Sequence, residues 1–211
     1  MSKEFLTRIL STSILIPVVL FFIIKGSIFF IFFLSILFLA TTYEWIMMCK
    51  KNNLLKFLGI IFLIFSFYAA FEFRVNKDYK DFLFIIIICI LTDIGGYIFG
   101  KILKGPKLTK ISPKKTYAGV FGGFLLPLIA GLIVYQYQYT DEIPPQGLYF
   151  LIIILFISLI SQIGDLIISY FKRKAKIKDT GKILPGHGGL LDRIDGMIFV
   201  FPTFFIILYF I

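Results

Sequence analysis

Seven long apolar stretches, over 9–24, 26–48, 54–72, 82–100, 117–137, 147–171 and 193–211, leave this chain few folds to choose from. A helix needs about 20 apolar residues to cross a bilayer, and its backbone polar groups must be satisfied within the segment. The pattern therefore predicts an all-α, polytopic integral membrane protein with about seven transmembrane helices. The connections are short, with no low-complexity linker and no internal repeat. The first stretch follows Lys3 and Arg8 and lacks a small-residue cleavage site, so a retained signal anchor is expected.

Composition points the same way. Of 211 residues, 59% are hydrophobic and only 16% charged, against roughly 25% charged in soluble domains. A soluble enzyme, a disordered chain and a disulfide-stapled secreted domain are excluded. Cys49 and Cys89 lie in or beside apolar stretches and read as buried thiols. The net charge of +10 fits loops facing anionic lipid or phosphorylated substrates rather than nucleic acid. Of the 22 Lys and Arg, 18 fall at the N-terminus and on every second loop, and 4 on the other side. That split predicts a cytoplasmic N-terminus and an outside C-terminus. Tyr43 and Trp45 read as headgroup-level aromatics, Glu44 between them as an interfacial, solvated acid, and Pro17, Pro127 and Pro202 as either kinks in their spans or ordinary tolerated membrane prolines.

Ionisable groups inside spans are costly and call for an explanation. Asp93 lies seven residues before Gly100, about 10 Å from that helix end at 1.5 Å per residue. Asp165 lies near the cytoplasmic end of the sixth stretch, and Asp192 and Asp195 open the seventh. Asp192 and Asp195, three apart, share a helix face. Adjacent carboxylates repel unless neutralised. A hard divalent cation, Mg²⁺ above all, suits oxygen ligands where His and Cys are almost absent. Neutralisation by Arg193 and the lysines as structural ion pairs is the other reading, and the residues alone leave both open.

Two cationic loops accompany these acids. One runs Lys172-Arg173-Lys174-Ala175-Lys176-Ile177-Lys178-Asp179 and then Leu184-Pro185-Gly186-His187-Gly188-Gly189. Its glycines permit close backbone approach and expose N–H groups, as in phosphate cradles. The other is Ser112-Pro113-Lys114-Lys115-Thr116, followed by Gly119, Gly122 and Gly123. Hydroxyls, ammonium groups and a helix start make a favourable anion site, although the glycines also suit close helix packing.

The run Ser169-Tyr170-Phe171-Lys172-Arg173, Lys178-Asp179 and Pro185-Gly186-His187-Gly188-Gly189-Leu190-Leu191-Asp192-Arg193-Ile194-Asp195 resembles the signature of the phosphatidate cytidylyltransferases (CDP-diacylglycerol synthases). Gly164-Asp165-Leu166, the Ser112–Thr116 run, and Asp93 with Tyr97 and Gly100 resemble further blocks of that family. The resemblance covers roughly residues 90–205. It departs at Ala118, where the family usually has a glutamate, and at Gly196, where a serine is frequent. The chain is also short for the family.

The resemblance implies transfer of CMP from CTP to phosphatidate at the cytoplasmic face of a bacterial inner membrane. Residues 1–80 would form about three N-terminal spans, and 81–211 the catalytic membrane region. Asp165, Asp192 and Asp195 are expected to hold Mg²⁺, and a second cation is left open. Lys114, Lys115 and Arg193 join these acids as catalytic groups. Asp93, Ser112, Thr116, Lys172, Arg173, Lys178, Asp179, His187, Gly188 and Gly189 are expected to bind substrate. The expected partners are CTP, phosphatidate, the bilayer and a second copy of the chain, with no nucleic acid. Two alternatives are a CTP-dependent polyprenol kinase, which would release CDP instead of pyrophosphate, and a non-enzymatic membrane carrier.

Overall fold

The computed structural model describes residues 3–109, 112, 114–138, 145–184, 186 and 188–210. They form α1 (Lys3–Lys25), α2 (Ser27–Met48), α3 (Asn53–Asn76), α4 (Tyr79–Ile102), α5 (Tyr117–Gln138), α6 (Pro145–Lys174), α7 (Leu191–Ile194) and α8 (Met197–Phe210). The all-α expectation holds. Five helices, α2 to α6, carry segments long and apolar enough to cross a membrane. The first and last expected spans are shorter as apolar helices, Ser11–Lys25 and Met197–Tyr209. The last is short because the predicted seventh span breaks: Asp192 and Asp195 belong to the separate turn α7 and its C-cap, not to the opening of α8.

The chain divides into two compact units, Met1–Leu83 with Phe171–Ile211, and Phe84–Tyr170. In the first, α3 packs against α8 and α2, while α2 also meets α1 and α7. Its core is aromatic: Phe82 stacks on Phe201 with ring centroids 4.7 Å apart, and Phe30 meets Phe82 edge-on at 5.3 Å. Pro202 lies inside α8 and brings no N–H to the carbonyl four residues earlier. That carbonyl, on Ile198, accepts a 2.6 Å hydrogen bond from buried Ser66 of α3. Apolar surface supplies little drive for helix association in lipid, so such interhelical hydrogen bonds and tight packing hold the bundle. Gly59 serves the packing, since a Cβ there would run into the Trp45 indole.

In the second unit α4 and α5 approach backbone to backbone. A Cβ on Gly95 would strike the Gly122 carbonyl, and one on Gly119 would lie 2.8 Å from the Gly96 carbonyl oxygen. Gly119 and Gly122 thus act as packing glycines. Thr92 Oγ1 donates to the Ile88 carbonyl at 2.8 Å and lies 3.0 Å from Ser158 Oγ of α6. Both hydroxyls are buried, which satisfies polar groups that lipid could not.

Candidate active site

The signature loop begins where α6 ends. Lys176 adopts a left-handed conformation at φ 59°, while Ala175 N and Ile177 N donate to the carbonyls of Phe171 and Lys172. The loop closes with a bridge between Leu184 and Gly188, in which Leu184 N and Gly188 N each donate to the other's carbonyl, at 3.0 and 3.1 Å. Gly186 and Gly188 sit at φ 75° and 90°, where a Cβ is strained. His187 lies outside the described residues.

Asp192 is the centre of this segment. Its Oδ1 accepts from Lys172 Nζ at 2.7 Å and its Oδ2 from the Thr180 backbone N–H at 2.8 Å. The two charged side chains are about nine-tenths buried, at 11% and 10% exposure. Gly188 lies against both Asp179 and Asp192, as a Cβ there would be 3.7 Å from Asp179 Cβ and 3.8 Å from Asp192 Oδ2. Asp195 is buried, and its Oδ1 accepts from Gly196 N at 3.0 Å. Arg173, Lys178, Asp179 and Arg193 are exposed around this centre, and Arg173 donates to the Ile177 carbonyl at 3.1 Å. Gly189 is buried against Thr180.

Glu44 corrects the sequence reading. It is not a solvated interfacial acid: only 1% of it is exposed. Its Oε2 accepts from Thr180 Oγ1 at 2.9 Å and Leu191 N at 2.8 Å, and its Oε1 from Leu190 N at 3.0 Å. Sequence reasoning missed Glu44 and Thr180. The one available signal was an acid on the last turns of an apolar helix, beside the Trp45 that the same helix buries.

In the other unit, Lys115 Nζ lies 2.5 Å from Asp165 Oδ2, and Ser169 Oγ donates to Asp165 Oδ1 at 3.3 Å. This pair is more open, with 26% and 27% exposure. Thr116 is the start signal of α5: its hydroxyl accepts from Gly119 N at 3.1 Å, as an N-cap does. Ser112 supports the same loop, its carbonyl accepting from Lys115 N at 3.0 Å and its N–H donating to Thr109 Oγ1 at 3.1 Å. Lys114 is exposed beside them, and Asp93 is exposed on α4. Among the described residues, neither unit gathers three His, Cys, Asp or Glu side chains into a ready metal-ligand set.

Comparison with known proteins shows the family. A model of the cytidylyltransferase family matches residues 54–211. A phosphatidate cytidylyltransferase of Bacillus subtilis is 39% identical over 155 residues, which cover 72% of this chain. The match spans little over half, 56%, of that relative's own length. One from Rickettsia bellii is 35% identical over 211 residues, 95% of this chain and 89% of the relative. One from Rickettsia felis is 34% identical over 209 residues, with 95% and 90% covered. With the signature loop folded around Asp192 and a family match over most of its length, the chain belongs to the cytidylyltransferase family.

Proposed function

We propose that the protein transfers CMP from CTP to phosphatidate, leaving CDP-diacylglycerol in the membrane and releasing pyrophosphate. The observation that carries this reading is the bonded centre at Asp192, which lies within the stretch that the family model matches. In the reaction a phosphate oxygen of phosphatidate attacks the α-phosphorus of CTP, and the bond to the β-phosphate breaks. The nucleophile is already anionic, so no strong general base is needed. The work left to the protein is to hold two polyanions together and stabilise the leaving pyrophosphate.

The residues divide that work. Lys114, Lys115, Ser112 and Thr116 take phosphate groups of CTP or phosphatidate. Lys172, Arg173, Lys178, His187 and Arg193 line the nucleotide and pyrophosphate side, with Gly188 leaving room for backbone approach; Gly189 is taken up by packing against Thr180 and Glu44 instead. Asp165, Asp192 and Asp195 would hold Mg²⁺. Their donors are all carboxylate oxygens, which suit a hard cation; Lys172 and Lys115 pair with Asp192 and Asp165 in this structure and would have to give way to it. When bound, the ion would neutralise phosphate charge in the transition state. A second cation belongs to the same proposal.

Seven spans follow if α1 and α8 are counted, and the loop charges support a cytoplasmic N-terminus and a cytoplasmic site. The bacterial relatives support an inner-membrane location. A homodimer rests on the resemblance alone.

The test uses the full chain in detergent with phosphatidate, Mg²⁺ and CTP. Label at the α-phosphate should enter lipid as pyrophosphate is released. Movement of a γ-label into a polyprenol would overturn the reading in favour of a kinase.

A further inference from the structure

Glu44 sits outside the 54–211 stretch that the family match covers, yet it binds both strands of the signature loop. Among the described residues its donors come from the outgoing side, Thr180 Oγ1, and the returning side, Leu190 N and Leu191 N. Two glycines make the space. A Cβ on Gly181 would collide first with Glu44, and one on Gly189 with Thr180 Oγ1, Gly181 N and Glu44. Leu190, at the N-cap of α7, has no side chain able to cap it, so the Glu44 carboxylate satisfies N–H groups at the start of that turn from another helix.

We infer that Glu44 is a positioning residue for the Asp192 centre, recruiting α2 into the site. It fixes Thr180 through its hydroxyl and Leu191 through its N–H. Thr180 N donates to Asp192, and Leu191 is the residue before it. The carboxylate thereby sets both the backbone that carries Asp192 and the donor that orients it. Its catalytic consequence rests on the cytidylyltransferase reading above; the clamp itself does not. Glutamine cannot replace it. Leu190 N and Leu191 N bond to different oxygens, so either orientation of the amide sets its NH₂ against a backbone N–H.

The test takes Glu44→Gln in the full chain, reconstituted in lipid nanodiscs. Hydrogen exchange at the Leu190 and Leu191 amides should accelerate on the order of tenfold or more, the loss expected for a buried hydrogen bond left unmade. Exchange in α8 should stay unchanged. The Mg²⁺ concentration giving half-maximal transfer should rise, a readout that a loss of folded protein would not move. Gly181→Ala should accelerate the same amides in the wild-type background and add nothing beyond Glu44→Ala, where the collision is gone. Unchanged exchange in Glu44→Gln, or an equal effect of Gly181→Ala in both backgrounds, would overturn the clamp. If the wild type transfers no CMP, the reaction reading falls, while the exchange results still decide the clamp.

Discussion

Lys172 and Asp192, twenty residues apart, form a 2.7 Å ion pair that is about nine-tenths buried. The pair joins the last turns of α6 to α7 and stands where the signature loop begins and ends. Removing one partner of such a pair leaves the other charge buried without compensation.

Asp192→Asn should therefore reduce CMP transfer at least about a hundredfold, the usual scale for losing one preorganised electrostatic contact. Membrane insertion should be intact. Transfer assays alongside quantitation of membrane-extracted protein check both halves, and near-normal turnover would remove Asp192 from the site.

The Lys115–Asp165 pair is about one-quarter exposed, and solvent weakens it. Exposed pairs contribute about 0–1 kcal/mol. Lys115→Gln should shift the thermal midpoint little while lowering transfer at least tenfold, if the ammonium works on phosphate. A drop in stability with unchanged turnover would make the pair structural.

Ser66 compensates for the donor that Pro202 lacks. Ser66→Ala should cost about 1–3 kcal/mol, the scale for an unmet buried acceptor. In a Pro202→Ala background α8 supplies its own N–H to the Ile198 carbonyl, so the same substitution should cost clearly less. Unfolding of the four proteins in a double-mutant cycle measures the difference.

Burial pushes the Cys49 thiol above its ordinary 9.0, only partly offset by Lys174 and Lys56. Cys49 follows the last residue of α2 and lies outside the spans. Being raised in the folded state, it favours folding below the unfolded value and loses that contribution as pH climbs past 9 toward the folded value. Maleimide labelling at pH 8 should be slow in the folded protein and fast after denaturation. Rapid labelling of folded protein would place the thiol at the surface.

Much of the fold was legible because its determinants are local. Apolar run length identifies α2 to α6 directly, since each must satisfy its own backbone in lipid. The break between α7 and α8 was not legible: Asp192 and Asp195 adjoin an apolar run, and residue type alone does not reveal that Gly196 separates the turn from the helix. The glycines of α5 left two readings open, and contact with α4 decided for packing at Gly119 and Gly122.

The chain by itself determined the membrane class, the helical content and the family, through segment length, charge distribution and one contiguous signature. Tertiary structure alone decided the partners of each acid. Glu44 lies 136 residues from Thr180 and 147 from Leu191, so no spacing rule connects them. Which donors reach a buried carboxylate depends on which helices pack and on where glycines let backbone come close. Those are properties of the folded bundle rather than of any segment within it.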